Sequence, residues 1–132
     1  MTTARPFLTF QDNRAQAALD LYFATLPDSR MIRVERYAEG EPGLAGSIKV
    51  AVFTLCGREF MCSDSPIKHG FTFTPSSSTF VEFDSVAELE RVFGILSNGG
   101  EVLMPLDNYG FSERFGWVND RFGVSWQLNF AA

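Results

Sequence analysis

The segment VSWQLNF, residues 124–130, alternates Val124, Trp126, Leu128 and Phe130 with Ser125, Gln127 and Asn129. Side chains of a strand point alternately to its two faces. The apolar set must therefore pack against something, and a single helix suffices. The polar set then lines a second face. Working upstream, Phe111–Val118 reads as another strand, joined to the last by Asn119-Asp120-Arg121-Phe122-Gly123, and Glu101–Leu106 as a short one before it. Val86, Leu89, Val92, Phe93 and Leu96 recur at helical spacing. Ser85 and Glu88 form a capping box at the start of that helix, and Gly99-Gly100 closes it. Ser78–Phe83 is a strand with Thr79, Val81 and Phe83 on one side and Ser78, Phe80 and Glu82 on the other. The order is β-α-β-β-β.

The front of the chain repeats the order. Arg5–Gln11 alternates Phe7, Thr9 and Gln11 with Leu8 and Phe10. Asn13 and Gln16 have capping-box spacing, and Ala15, Ala18, Leu19, Tyr22, Phe23 and Leu26 follow at helical spacing up to Pro27. Ser29–Tyr37 predicts a strand with Ile32 and Val34 on one face, Glu39–Gly46 a mobile loop, Ser47–Leu55 a strand and Arg58–Ser63 its hairpin partner. The helix entries at Asp12 and Asp84 lie 72 positions apart, a period that marks a duplicated unit. The expected modules are residues 1–63 and 78–132. Residues 64–77, with their prolines, glycine and hydroxyls, form the linker between them.

Composition narrows the function. The chain has 132 residues, 45% hydrophobic, with sixteen Asp or Glu against eleven Lys or Arg and a net charge of −5. That supports one folded domain and excludes the basic patch of a nucleic-acid binder. No apolar run reaches the roughly 18 residues of a membrane span, and the first residues lack a signal-peptide layout, so the location expected is cytoplasmic. With Gly57-Arg58 as a two-residue turn, Cys56 and Cys62 point to opposite faces, and both are expected to be reduced packing residues. His69 is the single histidine and is expected to be exposed in the linker.

Asn98-Gly99-Gly100, Met104-Pro105-Leu106, Tyr109-Gly110, Phe115-Gly116-Trp117-Val118 and Asp120 through Leu128 resemble the vicinal oxygen chelate superfamily, the glyoxalase, bleomycin-resistance and dioxygenase relatives. The closest resemblance is to its PhnB-like branch, labelled 3-demethylubiquinone-9 3-methyltransferase-like. The Pro6–Gln11 strand, Ala18 to Tyr22 and Asp64-Ser65-Pro66 fit as well. The resemblance implies an α+β fold. Two βαβββ modules form a curved, mixed-sheet cup with helices on the outer face. Metal-dependent members place ligands at positions that fall here on Phe7 or Thr9, near Met61 to Ser63, on Ser78 and on Gln127. These offer no imidazole or carboxylate, so no metal is expected. No glycine-rich strand-helix turn for S-adenosylmethionine is visible, and no cofactor is expected. The resemblance and the open sheet edges both imply a homodimer.

Phe7, Thr9, Ser78, Phe80, Glu82, Ser125, Gln127, Asn129 and Trp117 are the expected cup residues. Phe7 and Phe80 would stack on a planar ligand, and Ser78, Thr9, Gln127 and Asn129 would orient its oxygens. Glu82, in a partly apolar cup, would have a raised pKa and serve as acid or base. Three functions are consistent with this face: a metal-free small-molecule binder, an enzyme of unknown reaction using Glu82, and a dimeric assembly or regulatory module with a collapsed cup.

Overall fold

A computed structural model describes residues 1–131. The chain separates into two compact units, Met1–Gly70 and Phe71 onward. The first contains β1 (Phe7–Phe10), α1 (Ala15–Thr25), β2 (Arg30–Arg36), β3 (Ile48–Leu55) and β4 (Arg58–Asp64). The second contains β5 (Thr79–Glu82), α2 (Val86–Ser97), β6 (Glu101–Asp107), β7 (Arg114–Asn119) and β8 (Ser125–Phe130). Each forms an open four-stranded sheet, ordered β1-β4-β3-β2 and β5-β8-β7-β6. In both, the first strand is parallel to the last and the remaining pairs are antiparallel. The duplication predicted from the element order is therefore present down to strand direction.

Each helix covers one sheet face. On α1, Ala15, Ala18, Leu19 and Tyr22 are buried, and Phe23 meets Phe53 of β3 edge-on at 6.1 Å. On α2, Leu89, Val92 and Leu96 are buried. A Cβ on Gly116 of β7 would lie 2.6 Å from the Phe93 ring. Only glycine lets this helix approach so closely.

The two helix starts differ. Ser85 Oγ accepts the Glu88 N–H at 3.1 Å, as the capping box predicts. Glu88 does not complete the box with its own carboxylate, which turns to Arg91 at 2.8 Å. The Asn13 cap predicted for α1 does not form. Asp12 and Asn13 both take left-handed backbone (φ 60° and 57°), and Arg14 becomes the N-cap with no side-chain bond. The Ala15 N–H instead donates to Asp64 Oδ1 at 2.9 Å. Asp64, placed in the linker by sequence, ends β4 and is buried. Its Oδ2 accepts the Ile48 N–H at 2.9 Å, so this carboxylate ties helix, β3 and β4 together.

The second unit has its own buried carboxylate. Asp120 Oδ1 accepts the N–H groups of Phe122 (2.8 Å) and Val124 (3.1 Å). Its Oδ2 accepts Trp126 Nε1–H at 2.9 Å. A Cβ on Gly100 would meet the Asn119 carbonyl oxygen at 2.1 Å, so this glycine admits the Asp120 turn.

Three further readings are corrected. The hairpin pairs Leu55 with Arg58 and Ala51 with Cys62, so its turn is Cys56-Gly57, both at positive φ. That is the pattern of a type I′ turn; it leaves Cys56 exposed rather than packed, while Cys62 is buried. A register shift between Met31 and Arg33 breaks the alternation of β2 at Ile32. The 39–46 loop is pinned: Gly43 packs on the Tyr37 ring, Lys49 pairs with Glu41 at 2.6 Å, and the Tyr37 hydroxyl donates to the Asp64 carbonyl at 3.0 Å.

A buried carboxylate that loses an acceptor oxygen leaves N–H groups unsatisfied, which costs about 2 kcal/mol. Asp120→Asn and Asp64→Asn should each lower the free energy of urea unfolding by about this amount. Asp84→Asn, at an exposed position, should change it by less than about 0.5 kcal/mol. Equal effects at all three sites would refute the roles assigned to Asp64 and Asp120.

Candidate functional site

Because α2 packs on the Gly116 side of its sheet, β7 turns Phe115 and Trp117 to the opposite, helix-free face. Register carries that face across the second unit. One row runs Phe80, Gln127, Trp117, Met104 and the next Glu82, Asn129, Phe115, Asp107; Ser125 lies beside Asn119. Six of the expected cup residues (Phe80, Glu82, Ser125, Gln127, Asn129 and Trp117) therefore share one face. Ser78, just before β5, joins them by accepting Gln127 Nε2–H at 2.7 Å. Trp117 Nε1–H donates to Ser125 Oγ at 2.8 Å. These bonds hold the indole and the amide in place.

Phe7 and Thr9 belong to the first unit. They lie beside Met61 and Ser63 respectively, and Met61 lies beside Val52. Phe53, on the adjacent position of β3, meets the helix, so this row is on the first unit's helix-free face. Phe7 is exposed and Thr9 half-buried.

The aromatic content of the second unit's face exceeds what strand alternation could show. The β6–β7 hairpin carries Tyr109 and Phe111 over Phe115. Phe111 meets Phe115 edge-on at 5.0 Å, Tyr109 meets it edge-on at 6.1 Å, and Tyr109 stacks on Phe111 at 6.2 Å. The Phe80 ring centre lies 6.4 Å from that of Phe115. The hairpin is fixed by the Tyr109 hydroxyl donating to the Pro105 carbonyl at 2.6 Å, and by Asn108 and Gly110 N–H groups bonding Asp107 and Asn108 side chains. Phe115 is buried, whereas Phe80 and Phe111 remain 52% and 65% exposed. Strand alternation over Phe111–Val118 does not reveal this ring cluster, which the preceding turn builds. The local signal was the pair of aromatics two residues apart in an otherwise polar turn.

Asn129 is only 7% exposed, and its Oδ1 has no hydrogen-bond partner. An unsatisfied buried acceptor is uncommon and costly. Glu82, beside it, is exposed on the edge strand β5, so the apolar enclosure expected around it is not formed within this sheet.

The metal positions implied by the superfamily do not fit an ion. Phe7 and Met61 present apolar side chains, and Ser78 and Gln127 bond each other. Among the described residues no three His, Cys, Asp or Glu side chains converge. Gly94 lies inside α2, and Gly99 and Gly100 follow it, where Gly100 admits the Asp120 turn, so these glycines do not open a strand-to-helix turn.

A cleft of about 190 Å³ in the first unit is bounded by Gln11–Asn13, Pro42–Leu44 and Ser65–Lys68. Its Lys68 pairs with Asp12 at 3.0 Å. His69, expected to be exposed, is half-buried: Nε2 lies 2.8 Å from Ser65 Oγ, and the His69 backbone N–H donates to Gln11 Oε1 at 2.7 Å. Ser65 Oγ also donates to the Ile67 carbonyl at 3.0 Å, which makes the group a loop fastening.

Paired βαβββ units with this strand order define the vicinal oxygen chelate fold, and this chain has that fold. It belongs to the 3-demethylubiquinone-9 3-methyltransferase family, whose model matches residues 2–129. The PhnB protein from Bacillus cereus is 43% identical over 98% of this chain and 100% of its own, with a TM-score of 0.94. Protein PA1353 from Pseudomonas aeruginosa is 28% identical over 98% of both chains, with a TM-score of 0.82. The fosfomycin resistance protein FosX from Listeria monocytogenes, 12% identical over 100% of this chain and 94% of its own, shares the fold with a TM-score of 0.65. No curated protein matches.

Burial, and next the negative charge of Asp64, push the Cys62 thiol up to about 12 from an ordinary 9.0. Burial, with Asp28, also raises Cys56. Thiol reagents at neutral pH should label Cys56 slowly and Cys62 only after unfolding. The folded protein holds the Cys62 proton where the unfolded chain has lost it. Stability should therefore be intact below pH about 9 and fall above it, by up to about 1.4 kcal/mol per pH unit. Cys62→Ala should remove that part of the slope; an unchanged slope by urea denaturation would contradict the assignment.

Proposed function

We propose that this protein binds a small organic molecule without a metal ion, on the helix-free face of the β5-β8-β7-β6 sheet. The observation that carries the reading is the pairing of exposed rings with polar groups already held in place. Phe80 and Phe111 stand open beside Gln127 and Trp117, whose hydrogen bonds to Ser78 and Ser125 fix them before a ligand arrives. A face with apolar rings and a few oriented polar groups suits a mid-sized organic molecule. Phe7 and Thr9 supply a smaller surface of the same kind in the first unit.

Neutral Ser and Gln side chains at the superfamily's ligand positions favour binding over oxygen-chelate chemistry. Glu82, exposed on an edge strand, has no environment that suits it to general acid-base work. The long outer strands β2 and β6 have no partner on one side, which supports a homodimer that covers an edge. Two unbridged cysteines accord with a reducing cytoplasm. No helix among the described residues is long and apolar enough to cross a membrane.

Native mass spectrometry with elemental analysis of the same sample tests the proposal. The expected result is a dimer free of divalent metal that carries an organic mass, or takes one up from a metabolite library. Phe111→Ala should lower its occupancy at least about fivefold. A stoichiometric metal, or a library without any binder, would overturn it.

A further inference from the structure

The proposed binding face has a charge, and the charge selects a ligand class. Residues from 71 onward carry eight Asp or Glu against three Arg, while residues 1–70 carry eight against eight Lys or Arg. The whole net charge of −5 thus belongs to the second unit. Two of that unit's three cations are engaged on its helix side. Arg91 pairs with Glu88 along α2 at 2.8 Å, and Arg114, on the helix side of β7, approaches Glu90 at 3.5 Å. The Arg121 guanidinium lies 5.8 Å from the centre of the Phe122 ring. The helix-free rows, by contrast, hold Glu82, Asp107 and, beside Asn119, Glu101, with no Lys or Arg among their strand residues.

Three features converge on this face. Phe80, Tyr109 and Phe111 offer exposed ring surfaces, and the negative π faces of such rings attract cations. Glu82 and Asp107 stand at opposite ends of the row that contains Phe115 and Asn129. Asn129 Oδ1, buried in that row, is an acceptor without a donor. An acceptor held dry and unmet asks for an N–H from outside the protein.

We infer that the face binds an aromatic organic cation carrying N–H donors: a flat ring against Phe80 and Phe111, a positive nitrogen group drawn by the field of Glu82 and Asp107, and an N–H directed at Asn129 Oδ1. This rests on the small-molecule reading above and narrows it to one chemical class.

Three probes of one shape separate charge from ring: 2-naphthamidine (cationic at neutral pH), 2-naphthamide and 2-naphthoate. Calorimetric titration of the full chain should show naphthamidine binding at least about tenfold tighter than naphthamide, with naphthoate weakest. Added salt should weaken the cation alone. Glu82→Gln with Asp107→Asn, both exposed, should bring naphthamidine to within about threefold of naphthamide. Asn129→Leu should weaken naphthamidine at least about fivefold. Phe111→Ala, at an exposed ring, should weaken it while the variant still unfolds cooperatively on heating, so the inference is tested even where Asn129→Leu does not fold.

Equal binding of all three probes, or preference for naphthoate, would overturn the cation assignment and leave the small-molecule reading standing. Absence of binding by all three would also overturn it. If the native mass then still shows an organic occupant lost in Phe111→Ala, only the cation class fails; if it shows none and the library yields no binder, both readings fail.

Discussion

A four-stranded sheet has two faces, and each half of this chain supplies a single helix of three turns. One face of each sheet is therefore covered from within its own unit and the other is not. In the second unit the covered side is fixed by Gly116, whose missing Cβ lets Phe93 of α2 reach the strand. That contact decides which parity of β7 faces outward, and pairing transmits the choice to β8, β5 and β6. Phe115, Trp117, Gln127, Asn129, Phe80 and Glu82 share a face because of it. A one-residue slip in any pairing would turn these side chains into the helix interface and the core residues outward.

Two carboxylates stabilise this arrangement by satisfying backbone donors that strands and helices leave over. Asp64 serves the first turn of α1 and the start of β3 at once, and Asp120 serves its own turn and the indole of Trp126. Burying a charge is costly unless every lone pair is used. Each oxygen of both groups accepts at least one hydrogen bond, from backbone N–H groups or an indole. Local negative charge has a second consequence in the first unit, where Asp64 and burial together keep the Cys62 thiol protonated. This cysteine is a packing residue and no nucleophile.

The polar face differs in kind from these fastenings. Gln127 and Trp117 have partners within the sheet, whereas Asn129 Oδ1 has none. A protein that left such an acceptor buried for packing alone would gain nothing from it. Beside four aromatic rings and two carboxylates it has a physical reason to exist if the face receives a donor.

Much of the fold was legible in residues 78–130. Period-two alternation in β8 and period-3.6 spacing in α2 depend on neighbours along the chain, and the repeat of that order revealed the duplication. The membership of the polar face followed from alternation too, because parity is a local property. What sequence did not show was every feature made by distant partners. The cap of α1 comes from Asp64, 49 residues away, so the nearby Asn13 was a plausible but mistaken choice. The hairpin turn slipped by one residue because Cys56 adopts a left-handed backbone that its side chain does not advertise. The aromatic cluster required the β6–β7 hairpin to fold Tyr109 and Phe111 back over Phe115. Sequence by itself determined the periodic elements and the parity of each strand, since these are set by local backbone geometry. Tertiary structure decided the caps, the register and the ring cluster, since each is settled by hydrogen bonds and packing between residues that the chain order keeps apart.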